Sequence, residues 1–237
     1  MRVMILAAGR GERMRPLSDV TPKALLPAGG KPLIVWHLER LAAAGFRHVI
    51  VNVAHLGDQI ERALGNGAAW GLHILYSHEP PGALETAGGV AHVLPLLGDH
   101  PFLLINADVF CDWDPETAAK IPMRGRLAHL LLVDNPPHHP EGDFALVTGK
   151  HLTLAEEGRL TYAGIGVYSP RFFTGLDPDR PAPLAPLLRQ RILEGAVSGE
   201  RYAGKWADVG TPERLRDLDT QLAREAQERA ATEEKTP

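Results

Sequence analysis

Apolar and polar positions along the first half of the chain alternate between two periods. Val3 to Ala7 is a continuous apolar run of β type. Pro32 to Ala44 follows with apolar residues at Leu33, Ile34, Trp36, Leu38, Leu41 and Ala44, close to the 3.6-residue period of a helix. The alternation then repeats: a strand over His48 to Val53, a helix over Gly57 to Leu64, a strand over His73 to Ser77. After a Pro-Gly turn come a helix over Thr86 to Leu97 and a strand over Phe102 to Asp108. Strands that are apolar throughout and separated by helices predict a mainly parallel sheet covered on both faces.

The second half has a different texture. Leu127 to Asp134 is another strand of the buried kind, followed by the turn-rich NPPHHPEGD. Shorter alternating runs at Asp143 to Val147 and Leu160 to Tyr168 predict hairpins added at the sheet edge. Pro183 to Leu193 and Pro212 to Ala226 read as helices. The expected organisation is one domain over 1–226, made of two halves at about 1–110 and about 111–226. A polar tail over 227–237 has no apolar period and is expected to fray or be disordered. No internal repeat is present, and in particular no hexapeptide series.

The 237 residues are 44% hydrophobic and 23% charged, the balance of an ordinary globular protein. A formal charge of −4 argues against nucleic-acid binding through many phosphate contacts. Cys111 is the one cysteine, so no internal disulfide can form, as in a reducing compartment. The N-terminal apolar run is too short for a signal peptide and no stretch reaches the length of a membrane span. The expected location is the cytoplasm.

The candidate chemistry begins at LAAGRGERMRPLSDVTPKALLPAGGKPLI, residues 6–34. Gly9 and Gly11 let the backbone turn its N–H groups toward an anion. Arg10, Arg13, Arg15 and Lys23 gather four cations in an otherwise acidic chain, as a triphosphate would require. A Walker A loop is excluded, because no Lys-Ser or Lys-Thr follows the glycines. A dinucleotide-binding loop is excluded by Met14 in place of the third glycine, and HVIVNVAHL supplies no acid to hold ribose. Asp108 closes the apolar run FLLINAD. A carboxylate at the C-terminal mouth of a buried strand faces the ligand cleft of an open α/β sheet, where a hard cation bridging phosphates is its natural partner.

Residues 6–34 closely resemble the signature of the sugar nucleotidyltransferase (nucleotide-sugar pyrophosphorylase) family, with Ser18 where Thr is usual. The resemblance continues in order over about residues 1–215. It implies a Rossmann-like mixed, mainly parallel sheet sandwiched by helices, with added hairpins. The implied reaction is Mg²⁺-dependent transfer of a nucleotidyl group from a nucleoside triphosphate to a sugar 1-phosphate, with release of pyrophosphate. It implies that Leu6, Ala7, Ala8, Gly9, Gly11 and Arg13 surround the nucleotide. Lys23 and Arg13 would be catalytic, neutralising charge on the phosphates. KWADVGTPERL matches the family segment near the second metal ligand, so Asp108 and Asp208 are the implied metal pair, while Thr211 and Pro212 are free to start a helix. A second Mg²⁺ carried by the triphosphate stays open. The attacking phosphate oxygen is already anionic near neutrality, so no catalytic histidine is assigned, and the eleven histidines are expected to be solvated or structural.

Glu85, Gly88 and Asn106 are expected to line the base pocket. Gly88 and Gly89 weaken a helix by about 0.8–1 kcal/mol each, which is explicable if a flat base lies against the backbone. Glu85 stands where the family commonly has Gly. Segments such as LETAGG, LLVDNPPHHPEGDFALV and LTYAGIGVYSP resemble members acting on UTP and N-acetylmuramate α-1-phosphate. The resemblance places Asn135, His138, Gly142, Asp143, Phe144, Glu200 and Tyr202 near the sugar. Other sugar 1-phosphates with UTP, dTTP, CTP or GTP remain open, as does an inactive nucleotide-binding regulator, although Lys23, Asp108 and Asp208 are all present. Neither a nucleic-acid nor a membrane partner is expected, and the oligomeric state is left open.

Overall fold

The structure is a computed structural model that describes residues 1–80, 84–148 and 150–233. A nine-stranded sheet organises it. Four parallel strands form one side: β1 (Val3–Leu6), β4 (His48–Val53), β5 (His73–His78) and β6 (Phe102–Asn106). The sheet order is β5-β4-β1-β6 and then β11 (Arg159–Tyr168), β8 (Ala128–Val133), β12 (Val197–Arg201), β10 (His151–Thr153) and β9 (Phe144–Val147). The chain steps from β1 outward to β4 and β5, then returns to place β6 on the other side of β1. That reversal opens a crevice at the carboxyl ends of β1 and β6.

Both faces of β1, β4 and β6 are covered, which is why they read as continuous apolar runs, whereas the edge strand β5 alternates and leaves Leu75 exposed. Val3, Ile5, Val49, Val51, Leu103 and Ile105 face α2 (Leu33–Ala43) and α3 (Gly57–Leu64), and all are essentially inaccessible. Met4, Ile50, Phe102 and Leu104 face the opposite layer of α4 (Glu85–Leu97) and α5 (Leu184–Leu193). Each such side chain contributes about 1.5–3 kcal/mol when buried, so the alternation fixes the register of the sheet. The exception is Asn52 on β4, a buried polar residue on the α4 face.

Small elements absent from the sequence reading close the site. β2 (Pro27–Ala28) and β3 (Lys31–Pro32) form a short ladder, and α1 (Leu17–Val20) follows the glycine-rich loop. β7 (Val109–Cys111) continues past Asp108 and pairs antiparallel with β13 (Trp206–Asp208). Two expectations are corrected. The run ending at Tyr168, β11, is an interior strand antiparallel to both β6 and β8, and only its start, Arg159 and Leu160, pairs with β9; β9 and β10 form the edge hairpin. Helix α6 (Pro212–Glu233) continues past Ala226 into the segment expected to fray. It is held there by Glu225, which pairs with Lys205 at 2.8 Å and accepts a hydrogen bond from Gln221 at 3.0 Å. The Pro81–Gly82 turn and residues 234–237 of the expected tail lie outside the described residues.

Candidate active site

The glycine-rich loop leaves β1 at its carboxyl end and is fastened from three sides. The Ala7 amide donates to Asn52 Oδ1 at 2.7 Å. Gly11, at φ 63°, turns the chain back, and the buried Ser18 hydroxyl donates to its carbonyl at 2.7 Å. A threonine hydroxyl could donate equally, so Ser18 keeps the function of the usual residue. Met14 is fully buried against Phe110, Val209 and Leu218, which locks the far end of the loop onto α6. Of the three loop arginines, Arg15 pairs with Asp19 at 3.2 Å. Arg10 and Arg13 are exposed and form no hydrogen bond or ion pair among the described residues.

Two compartments meet at the end of β6. The first, about 200 Å³, is lined by Leu6, Ala7, Ala8, Gly9, Lys23, Asn52, Glu79, Glu85, Thr86, Asn106 and Asp108. The second, about 360 Å³, is lined by Arg13, Asn106, Asp108, His138, His139, Asp143, Tyr162, Gly164, Trp206 and Asp208. Asn106 and Asp108 belong to both. Lys23 Nζ reaches Asp108 Oδ2 at 2.5 Å, with the lysine side chain only 13% exposed. The β7–β13 ladder sets Asp208 opposite Val109, and the Val209 amide donates to the Asp108 carbonyl at 2.9 Å. Residues one hundred positions apart are thereby brought side by side through backbone pairing.

Helix α2 supports this ladder from behind. His37 donates from Nε2 to the Val109 carbonyl at 2.7 Å, and Arg40 donates to the Cys111 carbonyl. Burial pushes the His37 imidazole down to about 4, so the ring is neutral near pH 7 and its Nε2 carries the proton. On the other flank, Arg214 Nη1 binds Asp208 Oδ2 at 2.8 Å, and His138 Nε2 stands 3.4 Å from the same oxygen. The Thr211 hydroxyl accepts from the Arg214 amide at 3.4 Å and Pro212 opens α6, so Asp208 is free of capping duty.

A family profile for nucleotidyl transferases matches residues 2–161. The N-acetylmuramate α-1-phosphate uridylyltransferase of Neisseria meningitidis is 52% identical, over 92% of this chain and 96% of its own. The enzyme of the same name from Caulobacter vibrioides is 35% identical over 93% and 96%. The chain is a nucleotidyl transferase. A crystal structure from Bacillus anthracis, assigned as a glucose-1-phosphate thymidylyltransferase, superimposes with a TM-score of 0.82 over 94% of this chain and 95% of that one, at 21% identity. That likeness speaks for the fold.

Nucleotidyl transferases act on a nucleoside triphosphate and a sugar phosphate and typically use a divalent metal. The donor set of this chain fits a hard cation: two carboxylates, Asp108 and Asp208, on a shared backbone ladder, each already attracting a basic group. Among the described residues no cluster of three or more metal-ligating side chains occurs. A cation bound through one or two carboxylates takes its remaining ligands from phosphates and water, the usual habit of Mg²⁺.

The base-pocket expectation needs correction in its physical reason. Gly88 lines neither compartment; a Cβ there would lie 2.6 Å from the Arg180 carbonyl, because the 180–182 segment crosses α4 at that point. A Cβ on Gly89 would collide with Glu79 Oε1 and lie 3.1 Å from Asn52 Nδ2. These glycines admit protein backbone and a buried polar pair, not a base. Asn52 Nδ2 donates to Glu79 Oε1 at 2.6 Å, and the Leu84 amide donates to Glu79 Oε2 at 2.8 Å. The sequence reading missed this Asn52–Glu79 pair, although a lone Asn in an apolar strand was the available signal. Glu85 does line the pocket, at φ 55°. A left-handed backbone there accounts for the glycine common at this position in the family segment.

The residues placed near the sugar divide. Asp143 lines the second compartment, accepting from the Tyr162 amide at 2.8 Å and lying 3.2 Å from His139 Nε2. His138 and His139 line it too, with more than a third of each side chain exposed. Asn135 does not line it: its amide donates to the Pro140 and Arg159 carbonyls and its oxygen accepts from Thr161, which fastens the loop containing Gly142. Glu200 lies on β12 outside both compartments, paired with Lys150 at 2.9 Å. His129 Nε2 stands 3.8 Å from it, an ion-pair separation rather than a hydrogen bond. Tyr202 donates to Asp112 Oδ1 at 2.5 Å, again away from the compartments, and Phe144 is buried in the core.

Proposed function

We propose that this nucleotidyl transferase joins UTP to N-acetylmuramate α-1-phosphate, giving UDP-N-acetylmuramate and pyrophosphate. Two relatives of that name covering more than nine tenths of the chain support the substrate pair. The observation that carries the reaction is the meeting of two compartments at Asp108 with Lys23 against it. A nucleotide in the first compartment and a sugar phosphate in the second would face each other there.

An oxygen of the sugar 1-phosphate attacks the α-phosphorus, a new P–O bond forms, and the bond to the β-phosphate oxygen breaks as pyrophosphate leaves. The Gly9 and Gly11 loop and Arg13 hold the β- and γ-phosphates, keeping the leaving group in line. Lys23 moves its ammonium from Asp108 to the α-phosphate oxygens, where negative charge grows. The nucleophile is anionic near neutrality, so no side chain takes a proton. Asp108 and Asp208 would hold Mg²⁺, which when bound supplies charge neutralisation across the phosphates. Asp143, His138 and His139 line the sugar side. Pyrophosphate release over a grid of nucleoside triphosphates and sugar 1-phosphates tests the proposal. A signal confined to UTP with N-acetylmuramate α-1-phosphate is expected; a different productive pair would overturn the substrate assignment.

A further inference from the structure

The cations around the cleft are unequally compensated. Arg10 and Arg13, in the phosphate loop, form no hydrogen bond or ion pair among the described residues and await an anion. The two carboxylates are each already matched: Asp108 by Lys23, Asp208 by Arg214 with His138 beside it. Arg214 is only 17% exposed and Asp208 27%, so their attraction is partly desolvated and stronger than a surface pair. The contact is also built in. Arg214 lies in the first turn of α6, and Gly210 leaves room for its guanidinium, which a Cβ at that position would strike.

We propose that Arg214 is the resident counter-cation of Asp208 and makes divalent-metal binding conditional on the nucleotide. The inference rests on the metal role proposed for Asp208. A dication entering the empty cleft meets two carboxylates whose charge is cancelled by Lys23 and Arg214, and gains little. A triphosphate adds negative charge, draws Lys23 and the free arginines toward itself, and restores the field that a metal needs. Metal and nucleotide therefore bind with positive coupling, and each raises the affinity of the other by the same factor. Arg214 is a positioning residue: it acts through Asp208 and sets when the site opens to a cation.

The test is titration of the full chain with Mn²⁺ by electron paramagnetic resonance, without nucleotide and with saturating UTP, no sugar phosphate being present. Arg214→Gln should tighten nucleotide-free Mn²⁺ binding about tenfold and shrink the coupling to UTP by the same factor, while Arg214→Lys stays near wild type. Gly210→Ala, which displaces the guanidinium without removing it, should shift affinity in the same direction and serves if Arg214→Gln does not fold. The gain should vanish in Asp208→Asn/Arg214→Gln. Unchanged or weaker Mn²⁺ binding in the folded single variants, or a gain that survives Asp208→Asn, would overturn the inference. If Asp208→Asn alone leaves Mn²⁺–UTP affinity untouched, the metal role of Asp208 fails instead.

Discussion

Replacing Gly89 with Ala sets two physical expectations in opposition. Gly89 lies inside α4, and alanine in a helix interior is favoured over glycine by about 1 kcal/mol. Its backbone is not left-handed, so no strain opposes the change. The structure predicts the reverse sign. The new methyl would strike Glu79 Oε1, and the buried carboxylate would have to leave Asn52, its partner at 2.6 Å. Losing a hydrogen bond to a charged group costs about 1.5–3 kcal/mol, giving a net destabilisation of about 0.5–2 kcal/mol. For a chain of this size that lowers Tm by about 1–8 °C. Asn52 also fixes the Ala7 amide, so KM for the nucleotide should rise several-fold while the sugar phosphate KM changes less. Thermal melts and initial rates check both. A Tm raised by 2–4 °C with unchanged nucleotide KM would refute the role given to the Asn52–Glu79 pair.

The remaining expectations are briefer. Lys23→Ala and Asp108→Asn should each lower kcat by roughly 10²–10³-fold or more with the fold intact, read by pyrophosphate release and circular dichroism. Glu85→Gly should relieve a left-handed backbone and leave stability unchanged or raise it by about 1 kcal/mol, measured by urea unfolding. His37 is held at about 4 against an unfolded value of 6.5, so its contribution is complete above pH 6.5 and is lost as pH falls toward 4, by roughly 3 kcal/mol. Glu200, held down to about 2 by His129 and Lys150, loses its contribution only below pH 4.5. Urea midpoints between pH 7 and 4.5 therefore report His37, and a flat profile there would contradict its burial as a neutral ring.

The parts of the fold legible in the sequence are those whose cause is local. His48–Val53 and Gly57–Leu64 match the observed bounds because a doubly covered strand and an amphipathic helix each write their environment into consecutive residues. The phosphate loop is legible for the same reason: strand, glycines and arginines adjoin. Asp208 is reached only through family likeness, because what places it beside Asp108 is a three-residue pairing between β7 and β13, too short to leave a period. The Asn52–Glu79 pair escapes a local reading because its two halves end different strands and show their need for each other only in the missing Cβ of Gly89. That Asn135 and Glu200 lie outside the two compartments escapes a local reading for a related reason. Polar residues in a turn-rich half look alike in sequence, whether they bind ligand or fasten their own loops. α6 outlasts its apolar period because charged pairs around Glu225 continue what hydrophobic spacing begins.

The central claim is that the nucleotidyl group itself moves, to a sugar phosphate, at Asp108. The most direct measurement gives wild-type protein UTP labelled at the α-phosphate, Mg²⁺ and N-acetylmuramate α-1-phosphate, and follows the label. The expected result is label in UDP-N-acetylmuramate, an equal yield of unlabelled pyrophosphate, and loss of both products with Lys23→Ala. Label remaining in UTP, or released as free UMP without a nucleotide sugar, would contradict it.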